Sequence, residues 1–127
     1  MDVKKKEIYT VAFCHGAQES LNEALRHVNP GQHKTMLNRL SVAYARMASG
    51  GKLSADKFPS EGELPNGSKF YCIKRIPIRA YYWRSTLYPK TLFISHFIYK
   101  DFQKLRDADT NKVNANWRRI EEDGHDS

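Results

Sequence analysis

Residues 74–85 read KRIPIRAYYWRS, and their reading decides the fold. Four cations, three aromatics and one proline share twelve positions. The β-branched and aromatic content favours extended chain. Pro77 divides it into the end of one strand and the start of the next. Alternation then sorts the second strand. Arg79, Tyr81 and Trp83 share one face, while Ile78, Ala80, Tyr82 and Arg84 share the other. The second set suits a covered core, with Arg84 at the strand's end. Arg79, Tyr81 and Trp83 are then expected on an open sheet face. On the preceding strand Lys74 and Arg75 alternate, so at most one of them joins Arg79 unless Pro77 or a bulge resets the register.

Working outward, strands are predicted over 69–76, 78–85 and 91–99. Short turns join them into an antiparallel meander. Upstream, 7–14 reads as a strand. Ala17, Leu21, Ala24, Leu25 and Val28 then fall at helical spacing, and Asn29-Pro30-Gly31 ends that run. A second helix is predicted over 32–48, closed by Ser49-Gly50-Gly51. So short a joint makes the pair an antiparallel hairpin. Residues 50–69 read as a long loop, with Leu53, Phe58 and Leu64 to pin it. A last helix starts near Asp109, with Val113, Trp117 and Ile120 at helical spacing. The tail 122–127 is polar.

The order is β-α-α-β-β-β-α. It predicts a single α+β domain over 1–127: an antiparallel sheet with the helical hairpin on one face. At 40% hydrophobic and 28% charged residues, the composition is that of an ordinary globular chain. No apolar run is long enough for a bilayer. The start MDVKKKEIYTVAF reads as a basic lead-in to a strand, so a cytoplasmic protein without a membrane role is expected. Cys14 and Cys72 lack metal or redox spacing and read as small buried hydrophobes.

The charge is +7 overall, and it is uneven. Residues 67–106 carry nine Lys and Arg against Asp101 alone, while the rest of the chain is slightly acidic. A polyanion-facing surface fits that distribution, and so does a merely solvated face. Cations interleaved with Tyr81 and Trp83 suit RNA, with phosphates on the cations and unpaired bases on the rings. The same rings would equally well cover the sheet or meet a protein. The histidines are scattered, and there is no HExxH, no cysteine cluster and no phosphate loop. No metal or cofactor is expected. RNA can be cleaved without one, because its own 2′-OH attacks the neighbouring phosphate. Lys74, between Arg75 and Arg79, is a candidate base of lowered pKa. His96 is the histidine nearest the basic run.

The run YCIKRIPIRAYYW, with KTLFISHFIYKDFQKL after it, resembles the RelE/ParE superfamily of type II toxins, in particular HigB-like and phage-derived members. The matching positions are Lys74 or Arg75, Arg79-Ala80-Tyr81-Tyr82, and Phe97 with Lys100 and Lys104. Two residues, Ile98 and Tyr99, separate Phe97 from Lys100, where such toxins often carry adjacent lysines. The resemblance implies a RelE-like fold and a ribosome-dependent mRNA endonuclease silenced by a cognate antitoxin, a small helix-turn-helix protein. It puts Arg79, Lys74, Arg75, Lys100 and His96 forward as catalytic, with Tyr99 a further candidate. Tyr81, Trp83, Arg84 and Lys104 are put forward for holding substrate. Two other functions are open to the same fold: inhibition of DNA gyrase, as in ParE, and a non-catalytic phage-derived binding module.

Overall fold

A computed structural model describes residues 8–50, 60–100 and 105–124. Lys104, Leu53, Phe58 and the last three residues of the tail lie outside that range. Five strands form one sheet: β1 (Thr10–Phe13), β2 (Gly62–Glu63), β3 (Lys69–Arg75), β4 (Ile78–Arg84) and β5 (Thr91–Tyr99), in the order β1-β5-β4-β3-β2. The helices are α1 (Ala17–Leu25), α2 (His33–Ala48) and α3 (Asp107–Trp117), the last continuing as a π-helical turn, Arg118–Glu122.

The meander β3-β4-β5 is antiparallel as expected, but β1 runs parallel to β5, so the sheet is mixed. The physical reason lies in the connection. The whole hairpin stands between β1 and the meander, long enough to return the chain to the sheet in either sense. Residues 60–68 also contribute a strand. β2 pairs Gly62 with Phe70 and Glu63 with Lys69. Any Cβ at Gly62 would come within 2.6 Å of the Phe70 ring, so β2 lies close only because that residue is glycine.

One face of the sheet receives the hairpin. Leu21, Leu25, Met36, Leu40, Ile73, Ile78, Ala80, Ile94 and Phe97 form an entirely apolar core there. The other face is not open, and this corrects the expectation for Arg79, Tyr81 and Trp83. Alternation sorts them correctly, yet they are 2%, 1% and 0% exposed. α3 covers them. Val113, Trp117 and Ile120 pack with Tyr81, Trp83, Phe93 and Phe70 into a second core. A helix stripe of three large side chains needs a partner, and this face is the one the hairpin leaves free.

The end of α3 is clasped to the sheet by one carboxylate. Glu121 accepts from Trp83 Nε1 at 3.1 Å and from the Thr86 and Leu87 amides, each at 2.9 Å. Among the described residues no helix is long and apolar enough to cross a membrane.

Candidate functional site: a cationic cluster on one face of β3, β4 and β5

Register brings the cations together. Lys74 faces Arg79 across β3 and β4, whereas Arg75 faces Ile78 and turns to the hairpin side. There Arg39 and Arg46 are its neighbours, and burial with these two cations lowers its pKa. Lys74 therefore stands beside Arg79, and Arg75 lies on the opposite face. Arg79 in turn faces Ile98 on β5. Two residues on, Lys100 returns to the same face. Its backbone N–H donates to the Pro77 carbonyl at 2.8 Å, and its side chain is 2% exposed. Burial first, then the charge of Arg79, pushes the Lys100 pKa below the usual lysine range.

One carboxylate meets this cluster at its mouth. Glu61 Oε1 lies 3.0 Å from Lys74 Nζ, and the Glu61 side chain is 17% exposed against 41% for Lys74. Glu61 also acts electrostatically on Lys100 and Tyr81. Arg79 is 2% exposed, and among the described residues its Nε has no hydrogen-bond partner. A buried unpartnered guanidinium N–H is costly and points to an acceptor that arrives with a ligand.

Beside the cations runs a satisfied polar chain that the sequence does not announce. A bulge in β5 leaves Ser95 opposite no residue of β4, since Tyr81 pairs with His96 and Tyr82 with Ile94. Asn116 Nδ2 of α3 donates to Ser95 Oγ at 2.8 Å. Ser95 Oγ is 2.8 Å from His96 Nδ1, and His96 Nε2 is 3.1 Å from Asp109 Oδ1. Arg106 Nε donates to Asp109 Oδ2 at 3.0 Å. One proton arrangement satisfies every member: the Ser95 hydroxyl donates to Nδ1 of a neutral His96, which donates from Nε2 to an ionised Asp109. Burial lowers the His96 pKa against the pull of Asp109. Burial alone would raise that of Asp109, but hydrogen bonds from His96 and Arg106 prevail and bring it to about 2.

The expected site residues separate accordingly. Arg79, Lys74 and Lys100 come together. His96 is adjacent to them, with its ring 5.2 Å from that of Tyr81, but it is 1% exposed and both its nitrogens are used within the fold. It ties β5 to α3 rather than facing solvent. Arg75 stands apart. Tyr81 and Trp83 are core residues and present no ring to a base. Arg84 is exposed at the strand's end, with its guanidinium 5.2 Å over the Tyr9 ring. Glu61 and Asp109 belong to the site and were not anticipated. Cys14 and Cys72 are buried, and burial pushes both thiols up to about 12, so they are inert hydrophobes as expected. Among the described residues no three of His, Cys, Asp and Glu gather closely enough to hold a metal ion. Comparison of the chain with protein-family models, with curated proteins and with solved structures found no match.

Proposed function

We propose that this protein is a RelE-like toxin that cleaves mRNA on the ribosome and inhibits translation, held in check by an antitoxin that binds it. The observation that carries the reading is the convergence of Lys74, Arg79 and Lys100 on one face, with a guanidinium N–H of Arg79 lacking any acceptor. Three cations around one point suit a phosphodiester whose negative charge grows in the transition state.

The chemistry follows from their differences. Lys100, with its lowered pKa, takes the proton of the RNA 2′-OH. The 2′-oxygen bonds to the adjacent phosphorus, and Arg79 holds the non-bridging oxygens. The P–O5′ bond breaks as Lys74 gives a proton to the leaving oxygen. The products are a 2′,3′-cyclic phosphate and a 5′-hydroxyl. For Lys74 to act on the leaving oxygen, its 3.0 Å pair with Glu61 has to part.

A second reading is a non-catalytic binding module, favoured by the near-complete closure of Arg79 and Lys100. Controlled expression in a bacterial host, with mapping of mRNA 5′ ends beside an Arg79→Ala control, separates the two. New ends and growth arrest from wild type alone support the nuclease. Arrest without new ends sinks the nuclease and leaves a binding toxin, such as a gyrase inhibitor. No arrest at all removes the toxin reading.

A further inference from the structure

Strand β5 outruns its neighbour. β1 pairs with it only from Thr91 to Ile94, and the Cys14 N–H donates to the Ile94 carbonyl at 2.9 Å. Beyond that point the β1 side of β5 has no strand partner among the described residues. Register says what stands there. Lys100 N–H bonds toward β4, at the Pro77 carbonyl, so residues 96, 98 and 100 use their backbone groups on that side. Phe97 and Tyr99 point theirs the other way. Ser20 Oγ of α1 takes the Phe97 N–H at 2.9 Å. Among the described residues no backbone group pairs with the Phe97 carbonyl or the Tyr99 N–H, an acceptor and a donor on the same side of β5.

This pair lies in a groove of about 280 Å3 between α1 and α3. One wall is aromatic: the His27 and Tyr99 rings lie 5.1 Å apart at 32°. The other carries Arg106 and Lys112. Glu23 is also present, bonded to Arg26 at 3.3 Å. We propose that this groove binds a purine nucleotide. The base edge meets the Phe97 carbonyl and Tyr99 N–H, the ring packs against His27 and Tyr99, and the phosphate lies toward Arg106 and Lys112. A donor next to an acceptor is what a nucleobase edge offers in complement, and a flat ring with an anionic tail matches the two walls. The volume is near the lower end for small-molecule sites, about 300 Å3. An extended peptide fits less well, because Ser20 already holds the Phe97 N–H and leaves a strand only this one pair to bond.

The site is independent of the nuclease reading, and AMP, which has no diester to cleave, is the probe. Titration of isotope-labelled protein should move the Phe97, Ile98 and Tyr99 amides. Ribose 5-phosphate and 1-methyl-AMP, whose base edge is blocked, should bind at least about tenfold more weakly. His27→Ala and Lys112→Gln change exposed side chains and should each weaken AMP several-fold. A 2′-O-methylated tetra-adenylate, which cannot be cleaved, separates two sources: tighter binding than AMP assigns the groove to RNA, and equal or weaker binding to free nucleotide. Ribose 5-phosphate binding as well as AMP, absence of amide shifts with both AMP and the tetra-adenylate, or indifference to both substitutions overturns the proposal. So does a valine-threonine pentapeptide that moves these amides when AMP does not.

Discussion

Both faces of the sheet carry helices, yet they are built from different materials. Under α1 and α2 the buried residues of the core are apolar, from Leu21 and Leu40 to Ile73 and Phe97. Under α3 only half of the face is of this kind, around Trp83, Phe93 and Trp117. The other half buries Arg79, His96, Lys100, Asp109 and Asn116. Apolar burial stabilises at roughly 25 cal/mol per Å2, whereas a buried charge is unfavourable unless paired. Apolar packing on both faces holds the fold together, whereas the buried cations Arg79 and Lys100 are maintained against a cost. Groups kept at a cost are the ones to ask about function.

The contrast is most sharply broken at Arg79. Arg79→Met should lower RNA cleavage by about 10²–10³-fold, the usual loss when one stabilising group is removed from a transition state. Stability should stay level or rise by about 1 kcal/mol, because a buried cation next to Lys100 gives way to an apolar side chain of similar length. Urea unfolding beside a cleavage assay reads both. Loss of several kcal/mol with cleavage intact would make Arg79 structural and erase the distinction.

The opposite result belongs to the hairpin face. Leu40 is fully buried between α2 and the sheet. Leu40→Ala should cost about 3 kcal/mol in urea unfolding, through lost transfer energy and a residual cavity. Cleavage per folded molecule should not change.

Acid should attack only the α3 face. Asp109 has a folded pKa of about 2 against an ordinary 3.8. Its contribution is therefore complete above pH 3.8 and disappears as the pH falls through 2. It is worth about 2 kcal/mol by linkage. His96 lies below its ordinary 6.5, so the unfolded chain takes up that proton first. Stability begins to fall as the pH drops below about 6.5. Unfolding midpoints across this range should show a smaller low-pH loss in Asp109→Asn than in wild type. The remainder comes from groups such as Glu121, where burial is outweighed by hydrogen bonds that also lower the pKa.

What the sequence made legible follows the same division. The meander, the helices α1 and α2, and the apolar set Ile78, Ala80 and Tyr82 came from period and turn residues alone. The fate of the other face did not. Val113, Trp117 and Ile120 were readable as a stripe, but a stripe names no partner. Pairing Trp117 with the otherwise unsheltered Trp83 was the signal that would have closed the face. Lys74 beside Arg79 needed the register, which the turn at Pro77 fixes and composition does not. Ser95, Asn116 and Asp109 were out of reach, since a bulge and a helix crossing bring them together across sequence separations no pattern spans. Glu61 was hidden in a stretch read as loop, because two residues are too short a strand to carry alternation.

Glu61 gives the smallest effect and the finest test. Its pair with Lys74 is partly exposed, so Glu61→Gln should change stability by under about 1 kcal/mol. If the cluster receives a phosphate, the carboxylate competes with it for Lys74. Removing the negative charge should then tighten binding of an uncleavable RNA by a few-fold. Lys74→Gln should weaken it and flatten its dependence on salt, since one fewer counterion is released per complex. The two substitutions disturb the same ion pair, so a purely structural pair would give both variants the same small loss and no change in RNA affinity. Opposite signs are what distinguish a mouth built to open onto an anion from a surface salt bridge.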